Sequence, residues 1–83
     1  MRLRYKNDIF SVNTVTIDVS NCVHFKVVYN NDNFGNTIIF DCIIEGLTHS
    51  SAEHMLQQML TTGYIDLNEW RDITVKVPLR FAK

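Results

Sequence analysis

The octapeptide TIIFDCII, residues 37–44, limits the possible folds more than any other stretch of this chain. As a strand it puts Ile38, Phe40, Cys42 and Ile44 on one side and Ile39, Asp41 and Ile43 on the other. Both sides are apolar, so both ask for cover. A chain of 83 residues has little to give. At that length it buries only about 60–65% of the surface its unfolded form exposes. It therefore builds one domain, 1–83, with one core of two layers.

Alternation with period 2 surrounds this stretch. Leu3 and Tyr5 alternate with Arg2, Arg4 and Lys6 before Asn7-Asp8 breaks the pattern. Val15, Ile17 and Val19 alternate with Thr14, Thr16 and Asp18, a half-buried strand. Val23, Phe25, Val27 and Tyr29 follow, interleaved with His24, Lys26 and Val28. Residues 30–36, NNDNFGN, read as the turn into TIIFDCII, because Asn, Asp and Gly tolerate positive φ. A loop over 30–35 pairs Tyr29 with Asn36, Phe25 with Phe40 and His24 with Asp41. Around Ser20-Asn21-Cys22 no simple turn keeps parity, so a bulge or irregular turn is expected.

The helix signal is a capping box, Ser50 with Glu53, followed by Ala52, Met55, Leu56, Met59 and Leu60 at core-facing spacing. Gly63 supplies the left-handed stop. Asp66 to Glu69 repeats the capping spacing and starts one short turn ending near Trp70. Ile73 to Phe81 alternates again, and Pro78, which lacks an N–H, makes this strand an edge or interrupts it there. The reading is α+β: a mainly antiparallel four- to five-stranded sheet with one helix on one face, in the order β-β-β-β-α-β. One helix of about twelve residues spans roughly 18 Å of one face and leaves the other bare.

No phosphate-binding glycine loop, nucleophile elbow or zinc-protease motif is present. Cys22, His24, His49 and His54 are metal-ligand types, but His24 points away from the helix side, and no metal or cofactor is expected. His24 opposite Asp41 reads as a solvated cross-strand contact rather than an acid–base pair. Cys42 reads as core, with Cys22 in the turn and no bond between them. The expectation is a non-enzymatic chain. With no apolar run long enough for a membrane span and no secretory leader, it is expected in the cytoplasm, off the membrane.

Two surfaces remain. On the outer sheet face Val28, Ile39 and Ile43 stand among Thr14, Thr16, His24, Lys26 and Asp41. Leaving three large aliphatic groups in water forgoes roughly 1.5–3 kcal/mol each. Such a patch marks an interface, with a second copy or with a protein partner. Tyr64 and Trp70 join it as aromatic anchors, unless Trp70 plugs the core or residues 64–72 fold over the face. The leading expectation is thus a small protein-interaction module, and the eight Asn and eight Ile extend it to a phage or mobile-element accessory or inhibitor protein. The alternative is nucleic-acid binding. Arg2, Arg4, Lys6, Lys76 and Arg80 share outward parity and make a phosphate-contacting stripe if the terminal strands are neighbours. A net charge of −1 gives no general pull in that direction.

Overall fold

The computed structural model describes residues 1–31 and 35–78. Its strands are β1 (Arg2–Tyr5), β2 (Asp8–Ile17), β3 (Val23–Asn31), β4 (Asn36–Glu45), β5 (Tyr64–Asp66) and β6 (Thr74–Lys76), with one helix, α1 (His49–Thr62). They form a six-stranded sheet in the order β5-β1-β2-β3-β4-β6. All neighbours are antiparallel except β1 and β5, which run parallel. The fold is the expected α+β domain with one helix, but the sheet has an added strand. Residues 64–66, read from the sequence as a connection, extend the sheet beside β1.

The inner face carries the core. Leu3, Phe10, Val12, Val23, Phe25, Val27, Phe40, Cys42 and Ile44 are buried there, against Ala52, Met55 and Met59 of α1 and against Ile65 and Leu67. Parity along residues 23–29 and 38–44 therefore holds. The register differs from expectation by two residues. Strands β3 and β4 pair out to Asn31 and Asn36, which places Phe25 opposite Cys42, His24 opposite Ile43 and Lys26 opposite Asp41. The sequence reading gave Asn30, Asn31 and Asn36 to the turn, whereas the ladder takes them as strand; residues 32–34 lie outside the described set.

Strand β2 starts six residues before the expected Thr14. A two-residue turn, Lys6-Asn7, pairs Tyr5 with Asp8, and Lys6 adopts φ 55°. Phe10 and Val12 face inward in even phase, while Val15 and Ile17 do so in odd phase. A bulge between Val12 and Thr14 absorbs the change. The strand ends at Ile17, so Val19, expected in the sheet, is fully exposed in the turn. That turn is irregular as expected, with Asn21 at φ 62°.

Helix α1 is capped by Thr48 rather than Ser50: its hydroxyl accepts the Ser51 N–H at 3.1 Å. Gly63 ends it at φ 73°, its N–H donating to the Met59 carbonyl. The helix turns Met55 and Met59 fully inward, while Leu56 is half-buried and Leu60 is 60% exposed. The expected core role of Leu60 is thus overturned. Ile65 and Leu67, from the segment after the helix, are buried in the core instead. The Asp66 turn forms as read: its carboxylate accepts the Asn68 N–H at 2.9 Å and a short 3-10 turn spans Leu67–Glu69. The last strand is at an edge of the sheet, Thr74–Lys76 pairing with Ile43–Glu45; the expected continuation through Leu79 and Phe81 lies outside the described residues. Gly46 (φ 89°) lets the chain pass close by. A Cβ there would meet the Asp72 carbonyl oxygen at 2.8 Å.

Candidate docking surface on the outer sheet face

Pairing fixes what stands side by side on the face turned away from α1. One row crosses five strands: Tyr64, Arg2, Ser11, Val28 and Ile39. A second holds Thr16, His24, Ile43 and Lys76. Between them lie Thr14, Lys26 and Asp41. Three of the five residues expected at an interface therefore share one row. Ile39 is 60% exposed, Tyr64 is exposed at the edge strand, and Val28 and Ile43 are half-buried by their neighbours.

Trp70 does not join them. It packs, half-buried, against the core, its ring 5.8 Å from that of His54 on α1, so it serves the helix side. Nor do residues 64–72 fold over the outer face, since 64–66 enter the sheet and 67–70 turn back toward the core. Ile9 was missed by the sequence reading. It is 56% exposed, lies opposite Arg4 and stands two residues along β2 from Ser11 of the first row. Placing the second strand from Asp8 onward would have revealed it.

Two pairs of opposite charge stand on this face. Lys26 Nζ meets Asp41 Oδ1 at 3.0 Å, and Lys76 Nζ meets Glu45 Oε2 at 3.2 Å. The expected phosphate stripe divides. Arg2 and Arg4 lie on β1, four strand spacings from Lys76 on β6, or roughly 19 Å. Lys6 sits in the β1–β2 turn, its ammonium 5.3 Å from the centre of the Tyr5 ring. Arg80 lies outside the described residues.

The titratable groups gather at the β2–β3 turn instead. Asp18 Oδ2 lies 2.7 Å from His24 Nε2, and Oδ1 accepts the Ser20 and Cys22 N–H groups at 2.8 and 3.1 Å. These bonds, that of His24 foremost, hold the Asp18 carboxyl below its usual range. The expected partner of His24, Asp41, is taken by Lys26. His49 at the start of α1 reaches Asn21 at 3.2 Å. Chemically this is an imidazole held by a carboxylate, and the Cys22 thiol of the same turn is not activated. Desolvation first, then the charges of Asp18 and Glu45, push Cys22 upward, and a nucleophilic cysteine needs the reverse. Among the described residues no three His, Cys, Asp or Glu groups converge to hold a metal. No helix described is long and apolar enough to cross a membrane.

The fold and surface thus define a small α+β domain whose outer sheet face carries a few aliphatic side chains, Ile39 most exposed, among polar and charged ones. Compared with known proteins, the chain matches no family model, no curated protein and no solved structure.

Proposed function

We propose that this protein is a non-enzymatic protein-interaction module that docks through the outer face of its sheet around Ile39. The reading rests on one observation. A large aliphatic side chain, 60% exposed, stands mid-strand in a row with Val28 and next to the Ile9 row, where polar groups would be expected on a solvated face. The turn cluster supports it from the other side, because its only thiol is raised rather than activated. The nucleic-acid alternative has less support, since the basic residues of β1 and β6 are set apart across the sheet and Lys76 is paired.

Sedimentation of wild type and two variants tests the reading. Wild type should exceed the 9.7 kDa monomer at high concentration. Ile39→Glu should run as a folded monomer, because a carboxylate there must be desolvated on association. Ile44→Glu, at a fully buried position, should unfold the chain. An Ile39→Glu variant that associates like wild type overturns the proposal. So does a wild-type monomer that binds DNA with an affinity falling steeply in salt.

A further inference from the structure

The charged side chains on the outer face of β3, β4 and β6 have partners. Lys26 meets Asp41, Lys76 meets Glu45, and the His24 imidazole meets Asp18. On β1 the balance fails. Arg2 and Arg4 are exposed, and neither meets a carboxylate among the described residues. Asp66 lies opposite Arg4 in the ladder, but its Oδ1 is taken by the Asn68 N–H. Arg2 has Tyr64 on one side and Ser11 on the other. It shares its row with Val28 and Ile39, two and three strand spacings away, or about 10 and 14 Å.

Any chain that covers this row takes water from the Arg2 guanidinium. Burying that charge without an anion is unfavourable, so a good occupant supplies one. A second copy does not. About a twofold along the strands, Arg2 would lie over its own row, where Tyr64, Ser11, Val28 and Ile39 include no acid. About a twofold across the strands, β1 would lie over β1 and set arginine against arginine. Self-association through the aliphatic groups is thus confined to high concentration. Resting on the interaction reading above, we propose that the matched occupant is an acidic segment of another protein, with a carboxylate on Arg2 and an aliphatic side chain against Val28 and Ile39. Arginine holds a carboxylate in a directional, bidentate contact, and arginine and tyrosine lead among residues that dominate interfaces. An extended segment lying across the strands spans the gap, because its residues four apart face one way about 13 Å apart. A nucleic-acid strand fits less well. It offers phosphates to Arg2 but nothing aliphatic to Ile39, and Lys26 and Lys76 are already paired.

A library of random peptides displayed on phage, selected on the immobilised whole chain, tests this. Enriched sequences should carry Asp or Glu about four positions from Leu, Ile or Val. Synthetic versions should bind at least about tenfold more weakly to Arg2→Glu and to Ile39→Glu, the loss expected for a charged hydrogen bond or a desolvated carboxylate. Arg2→Gln, which only removes the charge, should weaken binding in the same direction. Arg71→Glu makes the same charge change on an exposed residue outside the sheet and should alter binding by less than about twofold. Circular dichroism should show these variants folded, since all three positions are exposed. Peptides without a carboxylate that depend on Ile39 but not on Arg2 would overturn the acidic partner and leave the interaction reading intact. So would a wild-type dimer that Arg2→Glu dissociates, because a second copy would then supply the anion. A random-sequence DNA duplex that binds more tightly than every peptide, and no longer binds Arg2→Glu, would overturn both readings. Enrichment no greater on wild type than on Ile39→Glu removes both as well.

Discussion

Cys42 shows how one residue ties the fold to pH. It lies on the core side of β4, and burial pushes its thiol up to about 12. In the unfolded chain the same thiol ionises near ~8.5. The raised value means the folded state favours the neutral thiol. Its stabilising contribution is complete below the unfolded value and is lost as pH rises through the folded one. Stability should therefore fall between about pH 8.5 and 12. Urea titrations of Cys22→Ser, with and without Cys42→Ala, isolate the effect. The parent should be the more stable at pH 7, through the core volume it fills, and the gap should narrow steadily above pH 9. A constant gap would mean that Cys42 is accessible to solvent. Asp18 acts at the other end of the scale. Its carboxyl is held low, so its bonds to His24, Ser20 and Cys22 stabilise above the unfolded range and are lost as pH falls through the folded value.

Among the elements, α1 offers the sharpest contrast. Met55 and Met59 are fully buried and Leu60 is not. Met59→Ala should cost roughly 2–5 kcal/mol, and Leu60→Ala less than about 1 kcal/mol. Chemical unfolding checks both, and equal costs would put the helix on its wrong face. Strand β2 yields a less obvious test. Deleting Asn13 closes the bulge and leaves Phe10, Val12, Val15 and Ile17 in one unbroken alternation. That chain should still unfold cooperatively. Deleting Thr16 instead turns Ile17 to the outer side and should abolish the folded state, with circular dichroism reporting each outcome. The bulge also explains what could be read in the sequence and what could not. Parity in β3 and β4, the Gly63 stop and the Asp66 turn were legible because each depends on neighbours in the chain. The start of β2 was not, since its two halves are out of phase and only pairing with β3 reconciles them. The register between β3 and β4 shifted by two because parity alone permits every even offset. Of the candidate surface, Val28, Ile39 and Ile43 were legible by parity. The pairing of Tyr64 beside Arg2, and the departure of Trp70 to the helix side, depend on a parallel strand contact between distant segments.

That contact organises the whole molecule. Strands β2, β3 and β4 meet through successive hairpins, whereas β1 and β5 are distant in the chain, with β2, β3, β4 and α1 between them. Asn68 fastens the junction. Its Oδ1 accepts the Lys6 N–H at 2.9 Å and its Nδ2 donates to the Lys6 carbonyl at 3.0 Å, across 62 residues. These two bonds hold Lys6 in the left-handed turn that joins β1 to β2. Closing so long a loop costs entropy before any contact repays it, so the hairpins should form first and the junction last. Asn68→Ala should then cost about 1–2 kcal/mol, nearly all of it in the unfolding rate. Stopped-flow kinetics should show unfolding faster by about 5–30-fold while folding is almost unchanged. If folding slows by that factor instead, the terminal segments have already met in the transition state, and the order inferred from chain separation is reversed.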